Sequence, residues 1–249
     1  MTLLTYKVGS LILIKNKDSI MNKLLTTLAA GLVATLSLTS ANAVEFKGGV
    51  TMQSAAYYAN VQEQLKDSGR VTNDEALAAF SYGSVFGEVK FEEAYGISFG
   101  LEYTPESIEI EKAIRYIQTS TGGAVAGQDT LNGEQHVAAE VEDMMTIYMG
   151  VPVMETGLTV KVGYMQASLK TKEVLATGST YGDVDLEGMT ASVYYDGDLG
   201  ANVFYRIEGG INTFDDIKVT GSEIGSAGYN KITAELGGVV GKASLGVKF

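Results

Sequence analysis

Eight separate segments of this chain place apolar or small residues at every second position, with polar or small residues between them. The first sets Val44, Phe46, Gly48, Val50 and Met52 against Glu45, Lys47, Gly49 and Thr51. The second sets Val85, Gly87, Val89 and Phe91 against Phe86, Glu88 and Lys90. In the third, Tyr95, Ile97, Phe99, Leu101 and Tyr103 alternate with Gly96, Ser98, Gly100 and Glu102. Met145, Ile147 and Met149 face away from Glu140, Glu142, Thr146 and Tyr148 in the fourth. The fifth has Leu158, Val160, Val162 and Tyr164 opposite Lys161 and Gly163, and the sixth Met189, Ala191, Val193 and Tyr195 opposite Gly188, Thr190 and Ser192. The seventh opposes Ala201, Val203, Tyr205 and Ile207 to Asn202, Phe204, Arg206 and Glu208. The last ends the chain, with Ala243, Leu245, Val247 and Phe249 against Ser244, Gly246 and Lys248. A period of two is that of a strand with unlike faces.

The connections alternate in length. Glu92–Ala94, Pro152–Gly157 and Asp196–Gly200 are short turns, while longer links are expected near 60–79, 116–133, 173–182 and 221–228. Short turns at one end and long hairpins at the other predict an all-β fold: an eight-stranded antiparallel up-and-down transmembrane β-barrel with long extracellular hairpins. Outward aromatics support two girdles, one from Phe46, Phe91, Tyr95, Tyr195 and Phe249, the other from Tyr103, Tyr164 and Tyr205. Two places break the pattern. Asp143 falls on the lipid face unless a bulge removes it, and Ile232, Ala234 and Leu236 are out of phase with Val239 onward, which predicts a bulge at Gly237-Gly238. In the first long link, Asn73–Ala79 reads as a short helix capped by Asn73. The link around Thr119–Gly127 is rich in small residues and expected to be mobile.

Composition narrows the class. Thirty glycines, two prolines, 14 tyrosines and 8 phenylalanines suit such a barrel. The formal net charge of −12 argues against nucleic acid as a partner. Four lysines (Lys7, Lys15, Lys17, Lys23) and one aspartate (Asp18) precede Val44, so the rest is more acidic still. No cysteine is present, which removes disulfides and the lipid-modified cysteine of a lipoprotein.

The N-terminal region has an export pattern. Met21-Asn-Lys opens a basic stretch, Leu24–Leu38 is apolar but too short for a spanning helix, and Ala41-Asn42-Ala43 is a cleavage site. Residues 1–20 then read as an upstream mis-start, 21–43 as a secretory signal peptide, and 44–249 as the barrel. With the alternating strands and the terminal Phe249, the chain resembles the small Gram-negative outer-membrane barrels of the OmpX, OmpA-barrel and OmpW kind. The resemblance implies location in the outer membrane, contact with outer-membrane lipid and lipopolysaccharide, and reading of Phe249 by the assembly machinery. It further implies a monomer.

Candidate chemistry is sparse. Facing inward by parity, Glu88, Glu102, Glu140, Glu142 and Glu208 oppose Lys90, Lys161, Arg206 and Lys242. In a lumen just wide enough for its own side chains they form a structural charge cluster. Arg206, Lys242 and Lys161 are expected to pair with Glu208, Glu102 and Glu142. His136 stands where outer-membrane lipid A deacylases have a serine two positions on, but here that place is Ala138, and the omptin and palmitoyltransferase patterns are unmatched too. It reads as an exposed loop residue. Asp215-Asp216 reads as solvated charge. No catalytic, cofactor or metal residue is assigned. A plugged structural or surface-interaction barrel, a narrow channel for ions or small hydrophobic solutes, and a membrane-embedded enzyme are the functions this class admits.

Overall fold

The computed structural model describes residues 44–64, 71–117, 133–174, 180–222 and 231–249, with backbone alone for 110–117, 133–138 and 173–174. The expected signal segment and the Thr119–Gly127 stretch lie outside the described residues. Ten strands follow in order: β1 Val44–Gln64, β2 Val71–Phe91, β3 Ile97–Thr104, β4 Ile108–Ile117, β5 Gly133–Val153, β6 Leu158–Val174, β7 Val184–Asp198, β8 Val203–Phe214, β9 Ile217–Thr220 and β10 Lys231–Lys248. They make eight staves, because β3 with β4 and β8 with β9 are single staves interrupted at Pro105–Ser107 and at Asp215-Asp216. Pro105 has no N–H to continue the ladder, which accounts for the first break.

Neighbouring staves pair antiparallel, and β10 returns to pair with β1 along Lys47↔Lys248 through Gln64↔Lys231, so the sheet closes. Phe46 and Phe249 exchange N–H···O bonds of 3.0 Å at the closing seam. The three short turns share the end with the chain's closing pair, called the lower end below. Tyr95 (φ 58°) and Gly96 (φ 74°) make the first turn, and Glu155 (φ 60°) and Gly157 (φ 74°) the second. Left-handed backbone of this kind is tolerated by glycine and costs other residues strain.

The lower part of the wall carries the alternation read from the sequence. Val50, Met52, Val160, Val162, Met189, Val193, Ile207 and Leu245 are exposed outward, while Thr51, Glu88, Ser98, Lys161, Ser192, Phe204 and Arg206 are buried inward. On β8 the exposed outer run extends from Val203 to Ile211, nine residues. At about 3.3 Å per residue and roughly 40° of tilt this spans roughly 23 Å, the height of a bilayer's apolar band. Polar residues begin just above. Gln166 donates to the Tyr164 hydroxyl (3.4 Å), and the Tyr103 hydroxyl donates to Asp143 (3.3 Å), so two outward tyrosines mark the upper boundary. Tyr205 does not belong with them. It lies opposite Gly197 and 6.3 Å from the Tyr195 ring, in the lower girdle, because β8 starts at Val203 and not at Ala201.

Above the boundary the wall turns inside out. Ala55, Tyr57, Tyr82, Ile108, Met144, Ala167, Leu186 and Val240 form a buried cluster within the barrel, joined by Phe80, Val141, Leu169, Phe214, Ile217 and Leu236. Three expectations fail here. No glycine bulge interrupts β10, whose pairing with β1 runs unbroken through Gly237 and Gly238. Leu236 faces inward because water replaces lipid outside and the apolar side of the strand belongs within. The Asn73–Ala79 helix is absent, since this stretch is the upper half of β2, whose backbone bonds are satisfied by the sheet, and β1 likewise runs on to Gln64. His136 is in β5, opposite Ile114 and Val174, and not in a loop.

Candidate functional site

The chemistry of this chain concentrates in the lumen at the height of the apolar band. Seven of the residues singled out by sequence lie on the inward side: Glu88, Lys90, Glu102, Lys161, Arg206, Glu208 and Lys242. Glu140 and Glu142 do not. A bulge between Glu142 and Met145, with Asp143 at φ 52°, gives β5 one extra residue against β6. Above it every side chain changes face, as an added residue in a period-two strand requires. Val141 therefore enters the apolar cluster, while Glu140 and Glu142 stand outside the barrel, where Lys172 bonds Glu140.

Two ion clusters fill the lumen at different heights. In the lower one the Arg206 guanidinium donates twice to Glu88 (2.9 and 3.1 Å) and twice to Asp196 (2.6 and 2.9 Å). Lys47 donates to Asp196 (2.8 Å), and the Tyr148 hydroxyl donates to Glu88 (3.1 Å). The guanidinium carbon lies 3.7 Å from the Tyr194 ring centre and 5.3 Å from that of Phe86, a cationic stack between aromatic faces. The side chain of Glu88 has no exposed surface (0 %). Below it, at the mouth, Lys90 bonds Glu92 at 2.6 Å.

In the upper cluster Lys161 reaches Glu208 at 2.6 Å and Glu102 at 3.6 Å. Lys242 donates to both oxygens of Glu102 (2.9 and 2.8 Å), and Ser84 adds a bond of 2.8 Å. Ser192 donates to Glu208 (2.8 Å). Tyr148 connects the two levels, since its ring lies 4.6 Å from the Lys161 ammonium while its hydroxyl holds Glu88. Large rings fit so narrow a lumen because inward glycines face them. A Cβ on Gly100 would fall 2.2 Å from the Tyr148 ring, and one on Gly246 2.7 Å from Phe204.

Of the three expected pairs the structure brings together Lys242 and Glu102. Arg206 pairs with Glu88 and Asp196 and not with Glu208, and Lys161 takes Glu208 because Glu142 is outside. Lys47 and Asp196 are the members that the sequence-based charge count omits. Lys47 was legible as an inward position of the first segment, whereas Asp196 reads as part of a turn until β7 is seen to continue to Asp198. Glu88, Glu102, Asp196 and Glu208 thus meet Lys47, Lys161, Arg206 and Lys242, equal numbers of each sign. Charges removed from water persist when paired and hydrogen-bonded in this way.

A polar layer separates the upper cluster from the apolar cluster. Asn212 donates to the Tyr57 hydroxyl at 2.6 Å. Between them Gln53, Glu102, Thr146, Asn212 and Lys242 line a cavity of about 10 Å³, which Tyr82, Met144 and Met165 cover. That is the size of a single water molecule.

An apolar belt outside, a girdle at each edge and paired charges inside define a transmembrane β-barrel of the outer-membrane kind. No protein-family model matches the chain, and no curated protein matches it. Among solved structures it is similar to the outer membrane protease OmpT from Escherichia coli, at 10% identity over 86% of this chain and 99% of that one, with a TM-score of 0.48. It is similar to the outer membrane protein OprG from Pseudomonas aeruginosa at 11% identity over 83% and 96%, TM-score 0.48. The outer membrane protein AlkL follows at 13% identity over 85% and 92%, TM-score 0.42.

Proposed function

We propose that this protein is a structural barrel of the outer membrane whose lumen is closed by its own side chains and whose upper barrel serves surface contact. The single observation that carries this reading is the stacking of two paired ion clusters beneath an apolar plug. An ion entering from below meets Arg206 held by four bonds, then Lys161 and Lys242 held by Glu208 and Glu102. Above them it meets Met144, Leu186 and the rings of Tyr57 and Tyr82, where two hydroxyls, that of Tyr57 already bonded to Asn212, are poor exchange for its water. Outer-membrane lipid and lipopolysaccharide are the partners of the belt in this reading. The long hairpins face the cell exterior, and residues 21–43 direct export. The protein acts without a cofactor and is not an enzyme.

Recording the purified protein in planar bilayers tests the closed lumen. Silence at all voltages that leave the membrane intact is expected. Stable conductance steps whose ion selectivity shifts on Glu102→Gln would overturn it in favour of a narrow channel.

A further inference from the structure

The outer surface is not uniform around the barrel. On β5, β6 and β7 the apolar run stops at Met145, Tyr164 and Met189, and the outward positions above are Glu142, Gln166, Lys170, Asp185 and Glu187. On β10, β1 and β2 it continues. Tyr58 (48 % exposed) and Leu77 (79 %) stand outward above the boundary beside Gly237, and Val239 (59 %), opposite Ile211, stands at it with Ala56 and Ala79. Tyr58 is opposite Gly237 and Ala56 opposite Val239, so these residues share one patch. Counted from the lower end, the patch reaches about four residues higher than the apolar run on the far side, roughly 10 Å at about 2.5 Å per residue. Within it the polar members are Ser54 and Ser81, bonded to each other at 2.7 Å, while Gln62 and Asn73, bonded at 3.2 Å, lie above the row of Glu75 and Glu235. The first outward charges on these staves are Glu75 and Glu235.

We propose that this face is where a second copy of the chain docks, side by side in the membrane. The occupant follows from charge. At a formal net charge of −12 the chain repels its own copy wherever acidic side chains would meet. The outer faces of β5 to β9 above the belt carry an excess of such acids, with Glu142, Asp143, Asp183, Asp185, Glu187, Asp215 and Asp216 against Lys170, Lys172 and Lys218. Up to the Leu77, Tyr58 and Gly237 row, below Glu75 and Glu235, the β10–β1–β2 face can meet its symmetry mate without placing charge against charge. Copies inserted in the same direction relate by a two-fold axis along the membrane normal, which makes the contact isologous. Outward Gly48, Gly83, Gly87, Gly237 and Gly241 keep the face low, and small residues permit close approach in lipid. Three strands at about 4.8 Å spacing over roughly 33 Å of height offer roughly 480 Å² per copy, close to the ~1,000 Å² total that a specific interface needs. This proposal departs from the monomer expected from the family resemblance.

The chain contains no cysteine, so a single introduced thiol reports its own contacts. Ala56→Cys lies within the patch and Ser168→Cys on the outer face of β6, away from it. Both variants are reconstituted in lipid vesicles at two lipid-to-protein ratios, oxidised, and examined on gels where heat-modifiable migration certifies the folded barrel. Cross-linked dimer is expected from Ala56→Cys at both ratios and not from Ser168→Cys. Adding Leu77→Glu should lower the yield about tenfold by placing like charges across the contact. If Ala56→Cys fails to fold, Tyr58→Cys takes its place. Equal cross-linking at both faces, which marks random collision, or free thiols at both, would overturn the proposal.

Discussion

Below the Tyr103 and Tyr164 hydroxyls the barrel wall separates lipid outside from ions inside; above them the same strands separate water outside from hydrocarbon inside. β6 shows both halves in one strand. Lys161 is buried between Glu208 and Glu102, and six residues later Ala167 is buried among Tyr57, Met144 and Leu186. The rule obeyed is the same in both, since apolar side chains leave water and charges find partners or water. Only the location of the water differs. The lower half must satisfy each charge internally, so it is held by directional pairs. The upper half is held by apolar contact, like the core of a water-soluble barrel.

The bulge at Asp143 is where this comparison breaks most sharply. Deleting Asp143 removes the extra residue, so Glu140 and Glu142 would turn into the apolar cluster and Val141 out of it. Loss of the folded, heat-modifiable form, or proteolysis of the upper barrel with the membrane part intact, is expected. Asp143→Gly keeps the backbone at φ 52° and forfeits only the Tyr103 contact, so it should fold normally. Equal behaviour of the two variants would mean that the bulge is dispensable.

Single truncations sharpen the contrast. Arg206→Ala leaves Glu88 and Asp196 unpaired in the lumen and should cost about 3–5 kcal/mol of unfolding free energy in urea titrations from lipid vesicles. Joint replacement of Arg206 by Met and Glu88 by Gln should recover part of that loss, whereas a purely additive result would deny the coupling. Leu186→Ala in the upper half should cost about 2–5 kcal/mol through lost burial and the cavity left behind. No partner substitution of opposite charge should rescue it, because nothing in that half depends on charge.

The lower half was legible in the sequence and the upper half was misread, for a reason visible in two strands. In β10 the apolar positions change parity at Gly237-Gly238 although the backbone does not, because the strand passes from lipid into water. The sequence shows that change of solvent, and it resembles a bulge. In β5 the backbone does bulge at Asp143, but the same change of solvent occurs there, and the two reversals cancel. Val141, Met145 and Ile147 then share one parity, interrupted only by Asp143, which places Glu140 and Glu142 inside. Alternation reports which face is apolar, not which face is inward, until the medium is known at that height. The pairings within the lumen were less legible, because long side chains reach past their nearest neighbours. Arg206 passes over Glu208 to reach Glu88 on the opposite wall.

The smallest effect belongs to the ion pairs on the outside of the upper half. Lys170 donates to Asp183 at 3.0 Å, and Asp183 also accepts from the Thr171 N–H at 3.4 Å. The bond from Lys170 holds the Asp183 carboxyl below the ordinary aspartate value, and that carboxylate raises the lysine. A lowered acid contributes stability that is present above the ordinary carboxylate pKa and lost as the pH falls through the lowered one. A raised lysine contributes below its ordinary pKa and loses it as the pH climbs through the raised one. Between these limits the contribution is flat in pH, and both side chains are open to solvent, where salt and water screen the pair. Asp183→Asn should therefore leave the urea midpoint unchanged at neutral pH within the scatter of the titration. Glu88→Gln, which removes the same single charge from the buried cluster, should shift it clearly. A shift of equal size in both variants would mean that the upper outer surface is not the solvated face described here, and that its charges are as closely held as those in the lumen.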